Sequence, residues 1–343
     1  MKSNRDVPLG SLIKPAKVIK AGDGSYPILS MTMHNGLMDQ NQKFKKSIAS
    51  NDLSGYKVVK RGQLVVSFPI DEGVLDFQQL YDEAIVSPAY GIWDFVDVEG
   101  VDINYLGLAL KSDRSLAYYK AKLQGSTARR RSLPKDVFLA LPIHLPNINE
   151  QKRIVEQHRL KKLIEQKRER QQELFDELER ARFIEKYGNP ITNPKNLPMV
   201  QLSDIATITT GNSPSRSNKE NFGHHIEWIK SNNLGPKYAT KASEYLSEIG
   251  AKKARIAPSG SILVTCIAGS PSSIGKCSIV DRDVAFNQQI NSITPHNKND
   301  LEFIWRQLYL FPELVQMKST GGMKGLVSKT EFSSVLILST EGK

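Results

Sequence analysis

At 343 residues the chain is long enough for two or three domains of about 150 residues each, and its 39% hydrophobic content excludes a disordered chain. Lys and Arg number 47 against 36 Asp and Glu, a formal charge of +11 with a pI near 9.4, which favours a polyanionic partner such as nucleic acid. Cys266 and Cys277 are the two cysteines, too few for a disulfide framework or a four-ligand zinc site, and no apolar leader or run of about 18 apolar residues occurs, so a soluble cytoplasmic protein is expected.

The first segment opens with Val7-Pro8-Leu9 before a polar turn. Lys43, Lys45 and Lys46 then form a cationic cluster, and Lys60-Arg61-Gly62-Gln63 leads into the strand pattern Leu64-Val65-Val66-Ser67. Thr127 with Arg129, Arg130 and Arg131 forms a second cluster, in which three adjacent guanidinium groups repel one another unless a polyanion lies against them. Lys135, Phe138, Leu141 and Ile143 lead into the last strand of this segment.

From Asn149 to Tyr187 there is neither Pro nor Gly, whereas prolines crowd both flanks and Gly188 stands where a left-handed C-terminal residue is wanted. Asn147 or Asn149 can cap the start, with Glu150 in the first turn. Residues 150–187 predict a helix of about 57 Å at 1.5 Å per residue. Leu160, Ile164, Lys167, Gln171, Leu174, Leu178 and Ala181 step by four and three along it, a heptad seam with two polar central members. A solvated spacer helix packed on its own domains is the alternative, but a seam that long favours one strand of a coiled coil, since it is otherwise left exposed to water.

Beyond Gly188 the pattern of the first segment returns. Val200-Gln201-Leu202 matches Val7-Pro8-Leu9, Pro258 to Thr265 matches Lys60 to Ser67, and Lys329, Phe332, Val335 and Ile337 match Lys135, Phe138, Leu141 and Ile143. Three matches in order indicate a tandem duplication. The expected fold is α+β: two similar domains, residues 1–148 and 188–343, separated by a long coiled-coil-forming α-helix over 149–187. The first segment holds 19 basic and 15 acidic residues and the second 17 and 12, so both suit a phosphate backbone. In the second, Asn212, Ser213, Ser215, Arg216, Ser217, Asn218 and Lys219 supply amides and hydroxyls for base edges beside cations for phosphates. Lys276 in a Gly-rich turn and Lys324 in another are further phosphate candidates; Ser231, Asn232, Asn233, Lys318 and Thr320 are weaker additions. Half-sites one helical turn apart, about 34 Å, fall within the reach of such a connector.

The stretch LPNINEQKRIVEQ (Leu145 to Gln157), a Pro-ended strand entering a charged helix, resembles the domain-to-helix junction of specificity subunits of type I restriction-modification systems. GSILVTCIAGSPSSIGKCSIVD (Gly260 to Asp281) and AFNQQINSITP (Ala285 to Pro295) resemble strands and turns of that family's target recognition domains. The resemblance implies a non-catalytic subunit whose two recognition domains read the halves of a split DNA target. It implies helices that space the heads and dock methyltransferase subunits, with a restriction/translocase subunit as a further partner. It also implies no cofactor on this chain, S-adenosylmethionine and ATP with Mg²⁺ being expected on those partners. By the repeat offset a second connector helix, which in the family pairs antiparallel with the first, would start one residue beyond Lys343, so the expectation is that it is absent or supplied by another copy. The alternative is a stand-alone two-headed DNA-binding or regulatory protein that dimerises through its helix.

Catalytic readings are weaker. GSPSSIGKC (Gly269 to Cys277) resembles a phosphate loop, but five residues separate its glycines and Cys277 stands where Mg²⁺ needs a hydroxyl. Asn189-Pro190-Ile191-Thr192 lacks the aromatic residue that would stack a flipped base. His224-His225 with Glu227 has no helical partner for a metal site, and neither Asp71-Glu72 nor Asp281 with Asp283 has the pattern of a nuclease centre. No metal ligand or catalytic residue is expected.

Overall fold

A computed structural model describes residues 5–33, 35–40, 52–96, 99–123, 133–320 and 325–339. The chain divides into two units, Met1–Lys167 and Arg168–Lys343.

In the first unit, β1 (Arg5–Pro8) pairs antiparallel with β10 (Pro142–Leu145), which brings the two ends of the segment together. Strands β2 (Ile13–Pro15), β9 (Gly91–Phe95), β6 (Leu64–Val66) and β7 (Leu75–Phe77) form a four-stranded sheet in that order. Beside it lie the antiparallel pairs β3 (Leu29–Thr32) with β4 (Gly36–Asp39) and β5 (Lys57–Lys60) with β8 (Glu83–Val86), linked by a parallel bridge from Ile28 to Ile85. Two helices, Ile103–Leu110 and Asp113–Lys122, follow, their first turns capped by the side chains of Asp102 and Ser112. Leu9, Leu64, Leu75, Leu106, Leu110 and Tyr119 are completely buried in the main core.

The second unit repeats this plan. Its outer pair is β11 (Met199–Gln201) with β22 (Leu336–Leu338), and its sheet runs β12 (Ala206–Thr210), β20 (Ile290–Pro295), β16 (Ser261–Thr265), β18 (Cys277–Val280). The second layer runs β14 (Tyr245–Leu246), β13 (Phe222–Ile229), β19 (Val284–Phe286), β15 (Ile256–Ala257), and the β13–β19 pair is again parallel. Helix Leu301–Leu310 buries Phe303, Ile304, Trp305 and Leu308. Short strands β17 (Ile267–Ala268) and β21 (Gly325–Leu326) pair at the edge.

The correspondence reaches single hydrogen bonds. Leu9 N–H donates to Leu141 O at 2.9 Å, and Leu202 N–H donates to Val335 O at 3.1 Å. Phe138 and Phe332 are each buried on a five-residue helix, Lys135–Leu139 and Lys329–Ser333. Gly62 and Gly260 both have φ of 84°, a conformation costly for any side chain, ahead of equivalent strands.

The connector is one helix of 40 residues, Ile148–Tyr187, about 60 Å long at 1.5 Å per residue. It begins two residues before the expected start, because the Asn147 side chain accepts from Glu150 N–H at 3.0 Å. In the first unit Gln151, fully buried, donates to the carbonyls of Gly100 and Pro146 and accepts from Asp102 N–H, while Ile154 and Val155 reach the core. In the second, Phe183 packs on Phe303 and Phe311, and Arg180 lies over the Phe311 ring while pairing with Glu313 at 3.0 Å. Gly188, at φ 85°, ends it, and Lys195 donates to the free carbonyls of Glu185 and Lys186. The seam residues Leu160, Ile164, Leu174 and Leu178 are 43–50% exposed, and Lys167, Gln171 and Ala181 are exposed as well.

Candidate nucleic-acid interface

Strand register shows where the loops gather. In the second unit β12 ends at Thr210 opposite Asn291, β16 ends at Thr265 opposite Ile290, and Ile229 at the end of β13 lies beside Phe286 at the end of β19. The segments 211–221, 230–235, 266–276 and 287–289 therefore leave the two layers at one end. The turn Asn287-Gln288-Gln289 is its centre. Asn287 N–H donates to Ile229 O, Asn212 N–H donates to Phe286 O, and the Gln289 carbonyl accepts from both Cys266 and Ile267. Gly211 passes so close that a Cβ there would lie 2.2 Å from the Asn287 carbonyl oxygen, so only glycine fits. Ser213 donates to the exposed Gln288 side chain, and Ser231 reaches Gln289 at 3.4 Å. Amides and hydroxyls held this way on a rigid base can donate to and accept from base edges.

The predicted polar loop is not one patch. The Asn212 carboxamide donates to Lys253 O and accepts from Arg255 N–H, both at 2.8 Å, so it ties the loop to the approach of β15. Ser215 shares a hydrogen bond with Ser217. Arg216 lies over the rings of Phe222 and Trp228 and pairs with Glu244 at 3.0 Å. Lys230, which sequence reasoning passed over, pairs with the same carboxylate and sits 5.0 Å from the Trp228 ring centre. The Lys230 hydrogen bond, with Arg216 close by, holds the Glu244 carboxyl below its ordinary pKa. Asn218 accepts from Glu220 N–H and starts a short 3-10 turn that carries exposed Lys219. Lys276 is exposed just before β18, and neither Lys219 nor Lys276 has an ion-pair partner among the described residues. The structure thus gathers Asn212, Ser213 and the 287–289 turn, places Arg216 with Lys230, and leaves Lys219 and Lys276 exposed.

In the first unit the same end carries Lys57, opposite Val86 at the end of β8. Its ammonium donates to Tyr90 O at 2.7 Å; burial and the nearby charge of Lys135 hold its pKa down. Lys135 lines a cavity of about 280 Å³ with Val66, Phe68, Trp93, Leu133 and Phe138, and the Phe68 ring is 61% exposed. Lys43, Lys45, Lys46, Thr127, Arg129, Arg130, Arg131 and Lys324 lie outside the described residues.

Among the described residues no cluster of three or more His, Cys, Asp or Glu could hold a metal ion. Glu227 is held by Arg282 at 2.7 and 2.9 Å and by Ala242 N–H, away from metal work. Cys277 is buried within β18, and burial pushes its thiol pKa up. Among the same residues no helix is long and apolar enough to cross a membrane.

Against known proteins, the family described as "Type I restriction modification DNA specificity domain" matches residues 194–337. The HindI type I restriction enzyme specificity subunit of Haemophilus influenzae is 31% identical over 151 residues, 42% of this chain and 32% of that protein. The MjaIX specificity subunit of Methanocaldococcus jannaschii is 29% identical over 123 residues, 34% of this chain and 27% of that one. The matches thus span about a third or less of these relatives. The solved S subunit of the type I restriction-modification system of M. genitalium aligns with 98% of this chain and 84% of its own, at 14% identity and a TM-score of 0.48.

Proposed function

From the match of residues 194–337 to the type I restriction modification DNA specificity family, we propose that this chain is a non-catalytic DNA-reading subunit whose two units each contact one half of a bipartite duplex target. The observation that carries the reading is the repetition: the first unit has the strand order of the main sheet, the outer pair and the terminal hydrogen bond of the unit that matches the family. At the loop end, Lys57 and Lys135 in one unit and Lys219 and Lys276 in the other are cations suited to phosphates. The rigid turn of Gln288 and Gln289 suits base edges.

On this reading the chain carries no cofactor, and methyl transfer and cleavage belong to methyltransferase and restriction/translocase partners that use S-adenosylmethionine and ATP with Mg²⁺. The connector helix gives a methyltransferase subunit something to dock on, and the complex works where DNA lies, in the cytoplasm. The test is selection from a randomised duplex library by the full chain together with its methyltransferase, followed by mapping of methylated bases. Enrichment of a split motif that disappears without this chain is expected. Methylation of the same motif by the methyltransferase alone removes the proposed role.

A further inference from the structure

The two units share the strand order of their main sheets and differ at the loop end. By register, Val66 opposite Gly91 corresponds to Val264 opposite Asn291, so Phe68 stands where Cys266 does and Ser87-Pro88-Ala89 where Asn287-Gln288-Gln289 does. In the second unit this place is packed shut. Cys266 is buried, its carbonyl accepts from Val327 N–H, the segment after it pairs with Gly325–Leu326, and Ile274 is buried. In the first unit a shorter run, residues 67–74, leads from β6 to β7, where residues 265–276 lead from β16 to β18. Here the cavity of about 280 Å³ lies open. Buried Trp93 and Phe138, their rings 5.3 Å apart, form its floor, and Phe68, Ala89 and Lys135, all exposed, stand at its rim. A ring 61% exposed beside an open apolar cavity is surface left in water. Lys135 has no ion-pair partner among the described residues, and Lys57 lies near enough to feel its charge. Two cations held close together make a place for an anion.

From this difference between two repeated units we infer that the cavity of the first unit receives one nucleobase turned out of the duplex, its flat face on the Phe68 ring and its flanking phosphates toward Lys135 and Lys57. The inference rests on the DNA-reading function proposed above. A mostly apolar, concave site with a charged group at its mouth suits a flat ligand that carries an anion, and aromatic rings stack on the face of any base. The turn Ser87-Pro88-Ala89 has no amide side chain to offer a base edge, unlike its counterpart in the second unit. The two units then read DNA by different chemistry, amides in the second and stacking in the first.

The test titrates the full chain with the duplex enriched by selection and with copies in which each base pair of the two half-sites is mismatched in turn, by altering first one strand and then the other. A mismatch removes part of the cost of unpairing, so at one position of one half-site binding should tighten about tenfold. Phe68→Ala should abolish that gain and leave the slope of log K against log salt as it was; Phe68→Tyr, which keeps the ring, should restore the gain. Binding that tightens at no mismatch, while the intact duplex is still bound and still salt-dependent, overturns the inference and leaves the DNA-reading function standing. A gain that survives Phe68→Ala overturns it as well. A chain that binds no duplex at all overturns both.

Discussion

Val200 lies directly opposite Ile337 in the antiparallel pair that closes the second unit, as Val7 lies opposite Ile143 in the first. In each case the strand that opens the unit is held by the strand that ends it. The residue two positions on, Leu202 or Leu9, then enters the core completely buried. Each pair joins residues from opposite ends of its unit, so these strands report on the integrity of their units.

Ile337→Ala and Ile143→Ala, both at positions no more than 1% exposed, should each cost about 2–5 kcal/mol by loss of burial and the cavity left behind. The loss should be confined to the altered unit. The three tryptophans allow this to be read in urea: Trp93 belongs to the first unit, Trp228 and Trp305 to the second. A shift of the Trp93 transition by Ile337→Ala would contradict separate units.

Gly211→Ala should be among the costlier single changes in the second unit. Its new Cβ meets the Asn287 and Phe286 backbone and ring at 2.2–2.6 Å, so the 287–289 turn must move. A cost of about 1–3 kcal/mol or more is expected from overpacking, with weakened DNA binding. Unaltered stability would show that the turn yields freely.

Lys276→Ala and Lys57→Ala should each weaken DNA binding without changing the enriched sequence, and each should lower the slope of log K against log salt by about 0.9. Titration of the full chain with duplex at several salt concentrations reads this directly. A change in the preferred sequence with an unchanged slope would move either lysine from phosphate to base contact.

The Glu227–Arg282 pair makes the second unit sensitive to acid. Arg282, by its hydrogen bonds, holds the Glu227 carboxyl below the ordinary value of 4.5. A depressed folded pKa contributes stability that is complete above the unfolded pKa and is lost as pH falls through the folded one. Glu227→Gln should therefore cost about 1–3 kcal/mol at neutral pH, and the gap from the unaltered chain should close as pH falls below the ordinary value of 4.5 and through the lowered folded one. Denaturation midpoints of both proteins between pH 7 and 3 measure it; a constant gap would mean the pair does not titrate as described.

Sequence patterning carried the architecture a long way. The Pro- and Gly-free run from Asn149 to Tyr187, with Gly188 after it, is the helix to within two residues, since boundary residues act locally on the backbone. The matches of Leu9 with Leu202 and of Ile143 with Ile337 proved to be equivalent strand-to-core transitions, because burial constrains residue class wherever a fold repeats. The loop residues were less legible. Asn212 and Arg216 look like free polar groups in a list of residues, yet the carboxamide of Asn212 ties two segments together and Arg216 lies between aromatic rings and Glu244. Lys57 reads as the first residue of a strand, and only the fold brings it near Lys135.

Alone, the sequence determined that there are two basic units of one design and a helix between them, because helix boundaries, burial and charge balance are set by residue type and spacing along the chain. Tertiary structure decided which polar groups remain available, and which loops share the end that carries the Asn287-Gln288-Gln289 turn. Those depend on partners 40 to 80 positions away, such as Arg255 for Asn212 and Gln288 for Ser213, whose proximity is created by strand register and leaves no periodic trace in the chain.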